Sequence, residues 1–238
     1  MLMNWFDVFM QNNSLFAKYR TWWANKATVR FFAPYAAQMT GRNVLEIGCG
    51  SGCGTAAIVR HFPEVSITAT DLDPRLLNTA KRKLQGTSVQ FELANACSLP
   101  YTNGHFDAIF DFGVLHHIAE WRVCLSELRR VLGPNGKLFI IDSPIEAFRR
   151  PLGRIVRTYT LHPYDEMFTE AELVEELASN GFCLLDRDQY APFIYYTVLV
   201  AERLDDVAPP CGRERSRGHK VTDNWRLSTG PNVNGGTE

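Results

Sequence analysis

The sequence predicts a doubly wound α/β domain whose sheet is mostly parallel, and three observations carry that prediction. Between residues 43 and 142, short and nearly continuous apolar runs alternate with helical segments. This is the pattern of strands buried on both faces by crossover helices. The first run passes straight into a glycine-rich turn, Gly48-Cys49-Gly50-Ser51-Gly52, where open α/β sheets build ligand sites. Two closing runs are joined only by Ala191-Pro192-Phe193. That link is too short for a parallel crossover, so the last two strands form an antiparallel hairpin.

In chain order, residues 1–40 are rich in aromatics, with Leu15, Tyr19, Trp22 and Trp23 at helical spacing. They predict an amphipathic N-terminal helical cap, docked on the domain or closing a pocket. Strands are expected over 43–47, 65–70, 89–93, 106–112 and 137–141, with helices near 53–62, 74–85 and 119–132. Asp73-Pro74 supplies a cap and a first-turn proline for the second helix. Gly133-Pro134-Asn135-Gly136 ends the third with a turn. After the longer connection 143–167, Thr169 and Glu172 form a capping box and Gly181 a stop signal. The final strands follow at 182–190 and 194–201. Beyond 204 the chain is polar and rich in Gly, Pro and Arg, so 205–238 is expected to be a disordered tail after a domain at 41–204.

Composition narrows the function classes. At 238 residues the chain suits one hydrophobic core. A formal charge of −1 offers no field for nucleic acid or an anionic membrane, and the folded part shows no basic stripe. The six cysteines (Cys49, Cys53, Cys97, Cys124, Cys183, Cys211) form no C-x-x-C pair and read as reduced thiols. No secretory leader and no apolar run of about 20 residues is seen, so a cytoplasmic enzyme is expected.

The chemistry concentrates at Val44–Gly54. Glycines at 48, 50 and 52 permit a tight turn and close approach of a ligand to the backbone. The spacing is not G-x-G-x-x-G, and no G-K-[ST] follows, so neither a dinucleotide fingerprint nor a phosphate-cradling loop is present. Glu46, at the carboxyl end of the first strand, would repel a pyrophosphate but suits a cation. S-adenosylmethionine carries a sulfonium and an ammonium and no phosphate, and this charge logic selects it. Asp71 ends the second strand, where an acidic side chain accepts hydrogen bonds from ribose hydroxyls. Asp73 takes the helix-capping role.

The stretches E-I-G-C-G-S-G, T-D-L-D-P, L-P-Y-T-N-G-H-F-D-A-I-F-D-F-G-V-L-H-H-I and L-R-R-V-L-G-P-N-G-K-L-F-I-I-D resemble, in order, the class I S-adenosylmethionine-dependent methyltransferases. The likeness is to the small-molecule group, strong over 41–142 and looser over 166–202. It implies a Rossmann-like, seven-stranded sheet with an antiparallel last strand. It also implies a cofactor site formed by Glu46, Gly48, Cys49, Gly50, Asp71, Leu72, Asn95, Ala96, Phe112 and Gly113. One departure stands out: Asn95 occupies a position that is often acidic in the family, and its amide oxygen can still accept from an adenine amino group.

His116 and His117 follow the fourth strand. Each reads equally as a buried or helix-capping histidine or as a catalytic base, and the resemblance favours His117. Two adjacent residues make poor co-ligands and no further ligand cluster presents itself, so no metal is expected. Methyl transfer needs chiefly in-line positioning, so the residues do not fix the acceptor. Its determinants are expected in the N-terminal segment and in 143–168, where Phe148, Arg149, Arg150, Arg154, Arg157, Tyr159, His162, Tyr164 and Phe168 lie. The N-terminal segment is expected to serve the acceptor more than the donor. The reading is methyl transfer to a small organic molecule. Its alternatives are a lipid or quinone methyltransferase with residues 1–40 on a membrane surface, and a catalytically silent binding subunit.

Overall fold

A computed structural model describes residues 14–39, 41–190, 196–204 and 215–216. Helix α1 (Ser14–Ala27) runs through a π-helical turn (Thr28–Phe32) and a 3-10 turn (Ala33–Gln38) into β1 (Asn43–Ile47). Then follow α2 (Cys53–His61), β2 (Ser66–Asp71), α3 (Pro74–Lys83), β3 (Gln90–Leu93) and β4 (Phe106–Phe112). A 3-10 turn (Leu115–His117) leads to α4 (Trp121–Val131) and β5 (Leu132–Asp142). The short helices α5 (Ile145–Arg149) and α6 (Pro151–Arg157) occupy the long connection. The chain closes with α7 (Glu170–Ser179), β6 (Phe182–Tyr190), β7 (Tyr196–Arg203) and the two-residue β8 (Arg215–Ser216).

The strand order is β3-β2-β1-β4-β5-β7-β6-β8. Strands β1 to β5 pair in parallel, and β7 inserts antiparallel between β5 and β6. This is the seven-stranded, mostly parallel arrangement expected, with β8 added beside β6. Apart from Arg215 and Ser216, the expected tail lies outside the described residues, as do the first 13 residues and the Ala191-Pro192-Phe193 link.

Alternation along the strands explains why both faces are covered. Leu45, Ile109, Leu138, Ile140 and Leu199 face a core closed by α4 and α7. Their neighbours Val44, Ala108, Phe110, Phe139 and Val200 face a second core with Ala57 and Ile58 of α2. Phe31 and Phe32 complete that second core. Phe32 is fully buried, its ring centroid 4.9 Å from that of Phe139 and 5.7 Å from that of Phe110. The N-terminal segment therefore supplies part of the domain's interior as well as a cap.

The local start and stop signals are realised. The Asp73 side chain accepts from the Arg75 backbone N–H. Thr169 and Glu172 form the reciprocal capping box, and Gly181 takes φ +72° after α7. Two expectations are corrected. Gly133–Gly136 is not a turn outside the sheet. Leu132 pairs with Phe106 and Lys137 with Ala108, so these four residues bulge within β5, with Asn135 at φ +58°. The cysteines are not all thiols: Cys49, Cys53, Cys97 and Cys124 carry thiols, whereas Cys183 is disulfide-bonded.

Truncating Phe32 to Ala leaves a cavity among Phe110, Phe112 and Phe139, so the variant should lose about 3–5 kcal/mol in urea unfolding. A loss below about 1 kcal/mol would show that the segment merely lies on a completed core.

Candidate functional site

Strand β1 sends the chain to β2 on one side, while β4 lies on its other side. At this switch point the carboxyl ends of the strands open a crevice. A cavity of about 600 Å³ fills it. Every residue expected at a cofactor site lines that one cavity: Glu46, Gly48, Cys49, Gly50, Asp71, Leu72, Asn95, Ala96, Phe112 and Gly113. His117 lines it as well. His116 does not, and sits behind His117 with a ring centroid separation of 4.0 Å.

The glycine loop leaves β1 with Gly48 and Gly50 at φ +54° and Gly52 at φ +78°, conformations that favour glycine. Space is as decisive as torsion. A Cβ on Gly48 would stand 2.5 Å from Val114 Cγ2, and one on Gly54 would meet the Phe112 ring at 2.6 Å and the Glu46 carboxylate. Asp71 anchors the loop: Oδ2 accepts from the Gly50 N–H and Oδ1 from the Asp73 N–H, both at 2.8 Å. Burial raises the Asp71 carboxyl above its ordinary value, opposed by these bonds.

Glu46 is the most buried carboxylate in the cavity wall. It is 1% exposed, and the Thr55 hydroxyl donates to its Oε2 at 2.5 Å. Burial pushes its pKa to about 8, with the nearby Cys53 and Asp71 adding to the rise. A carboxyl held protonated chiefly by burial is poised to ionise once a cation enters. Asn95 is less free than expected, since its Oδ1 already accepts from the Cys97 N–H at 3.0 Å.

Several contributors have no signal in the local sequence. From α1, Arg20, Trp23 and Ala24 line the cavity, and the Arg20 guanidinium donates to the Ser51 hydroxyl in the glycine loop at 3.2 Å. The N-terminal segment, expected to serve the acceptor more than the donor, thus also touches the glycine loop. Lys83 approaches the Cys53 thiol at 3.2 Å. At the other end, His162 stacks 4.3 Å from His117 and 5.1 Å from His116. Asp142, wholly buried at the end of β5, bonds His116 Nδ1 and accepts from its backbone N–H at 3.2 Å. Burial, with His116 and His162 adding, holds His117 well below its ordinary pKa. Burial and His116 pull His162 to about 3. The fold therefore supplies the third histidine that the neighbouring pair lacked. It arrives 45 positions downstream, on a connection that no spacing rule links to β4.

Comparison with known proteins fits this geometry. A family profile described as a methyltransferase domain matches residues 45–140, the segment that builds β1 to β5 and the loops lining the crevice. Residues 45–140 are thus similar to a methyltransferase domain. The chain is 31% identical over 121 residues to a fatty-acid O-methyltransferase of Mycolicibacterium smegmatis, covering 50% of this chain and 44% of that protein. It is 31% identical over 123 residues to a demethylmenaquinone methyltransferase of Deinococcus radiodurans, covering 51% of each. It thus spans about half the length of these curated relatives. A solved S-adenosylmethionine-dependent methyltransferase from Methanosarcina mazei superposes with a TM-score of 0.58 at 20% identity, over 70% of this chain and 94% of that one. This last likeness concerns the fold of the methyltransferase domain.

Because Asp71 holds two backbone N–H groups of this domain, Asp71→Ala should lower unfolding stability by roughly 2–3 kcal/mol, the scale of bonds to a charged acceptor. Urea denaturation checks it. A stability equal to that of the parent chain would mean the loop stands without its anchor.

Proposed function

We propose that this chain transfers a methyl group from S-adenosylmethionine to a small organic molecule. The observation that carries the reading is the cavity wall itself. Glu46, the glycine loop, Asp71, Asn95 and Phe112–Gly113 converge on one crevice, with two buried carboxylates and no phosphate-binding loop. When bound, the donor supplies an electrophilic methyl on a sulfonium, whose leaving group needs no protonation. Glu46 offers negative charge to the cationic part of the donor. Asp71, already fixed by Gly50 and Asp73, presents its remaining lone pairs to the ribose. Phe112 and Gly113 offer backbone groups, and α1 with Trp23 excludes water from the transfer space. His117, on the cavity wall and uncharged through burial, is placed to take the proton of a hydroxyl acceptor.

The acceptor side favours an apolar molecule. The relatives named above are called a fatty-acid and a demethylmenaquinone methyltransferase. Here Leu152, Ile155, Tyr159 and Leu161 are exposed beside exposed Arg149, Arg154 and Arg157. That mixed apolar and basic surface supports the second reading, a lipid or quinone acceptor met at a membrane surface. No helix among the described residues is long and apolar enough to cross a membrane. Incubation with labelled donor and panels of free hydroxyl compounds, fatty acids and quinols tests both readings. Label transferred to none of them would contradict the proposal.

The electrostatics predict a pH dependence. The donor's positive charge favours ionised Glu46, whereas the free site holds a proton up to about pH 8. Donor binding should therefore release a proton and tighten as pH rises from 6 toward 8, by at most about tenfold per unit, then level off. In Glu46→Gln the part of this slope owed to the carboxyl should vanish and affinity should fall. Calorimetry in buffers of different ionisation enthalpy reads the proton release. An identical slope in parent and variant would remove Glu46 from the donor site.

A further inference from the structure

His116, His117 and His162 each offer one ring nitrogen, and these three atoms all lie within 4.8 Å of one another. They come from the turn after β4 and from the connection after β5, brought together only by the fold. Two of the rings have one nitrogen already committed. His116 Nδ1 is bound to the buried Asp142 carboxylate, whose other oxygen accepts from the His116 backbone. His162 Nδ1 lies 3.3 Å from the Tyr164 hydroxyl. In both, Nε2 remains as the ligand atom. The His117 ring makes no hydrogen bond among the described residues, although its backbone N–H donates to the Val114 carbonyl at 2.9 Å.

We infer that His116, His117 and His162 bind one divalent ion of the zinc class, with Asp142 as the carboxylate that orients His116. Three imidazoles select a late first-row ion over magnesium or calcium, which prefer oxygen ligands. A buried carboxylate on the far nitrogen of a ligating histidine is the usual support in such sites, where it fixes the tautomer and raises ligand basicity. Zn–N bonds of about 2.0–2.1 Å put tetrahedral ligand nitrogens about 3.4 Å apart. The cluster reaches that by small side-chain rotations. Three protein ligands leave a fourth position open. His117 also lines the 600 Å³ cavity, so an ion held by it would stand at the cavity wall. There the ion would hold and acidify an oxygen of the acceptor in place of the base role given to His117, whose lone pair it would occupy; this placement rests on the function proposed above. The ion site itself does not depend on it.

The test uses the full chain, free of any affinity tag, stripped with a chelator, dialysed, and titrated with Zn²⁺ and with Co²⁺ as a visible probe. The expected result is one ion per chain and the intense d–d bands of four-coordinate Co²⁺. His162→Ala, on a half-buried connection, should weaken Zn²⁺ binding at least about 100-fold, and Asp142→Asn about 10–100-fold. Circular dichroism and urea unfolding confirm that each variant is folded. His117→Gln serves if His162→Ala is not. No stoichiometric ion in the parent chain, or affinity unchanged in folded His162→Ala or His117→Gln, overturns the inference. Binding of S-adenosylhomocysteine to the stripped chain is measured alongside. Its absence with the ion bound would refute the donor reading and leave the metal site standing, and the reverse would refute only the metal site.

Discussion

The Asp71 carboxylate, accepting at once from Gly50 and Asp73, is the interaction on which the site depends. It ties the glycine loop after β1 to the end of β2 and fixes the start of the turn into α3. Three left-handed glycines would otherwise leave that loop conformationally loose. With the loop fixed, Glu46 is buried beneath it, Thr55 is within reach of the Glu46 carboxyl, and Val114 packs where a Cβ on Gly48 would sit. One acidic side chain thus shapes a cavity wall in which a second is buried.

The N-terminal segment adds a constraint from the other direction. Phe31 and Phe32 finish the core on one face of the sheet, and Arg20 reaches Ser51 in the glycine loop. The core of the domain and the wall of the cavity therefore share a single stretch of chain. A ligand held against the glycine loop and α1 would add to the stability of the domain.

Much of this was legible in the sequence because its signals are local. The alternation of Val44 and Leu45 between two cores, the Asp73-Pro74 start, the Thr169–Glu172 box and the carboxyl-end position of Glu46 all follow from periods and spacings within a few residues. The ten residues expected at the cofactor site line one cavity because they lie at the ends of adjacent parallel strands, where strand order alone brings them together. What was not legible depends on long-range contact. His162 meets His117 across 45 positions, Arg20 meets Ser51 across 31, and the Asp142 support for His116 spans 26. The bulge at Gly133–Gly136 was missed for a different reason. Gly-Pro-Asn-Gly specifies a turn, and whether strand pairing resumes on both sides of it is decided by the partner strand, β4.

The central claim is that this crevice is built for a cationic, phosphate-free adenosyl ligand. Isothermal titration of the purified chain with S-adenosylhomocysteine, and separately with NAD, tests it most directly. The account predicts one saturable site per chain for the sulfur ligand and no binding heat with NAD. Saturable binding of NAD with no response to S-adenosylhomocysteine would contradict it.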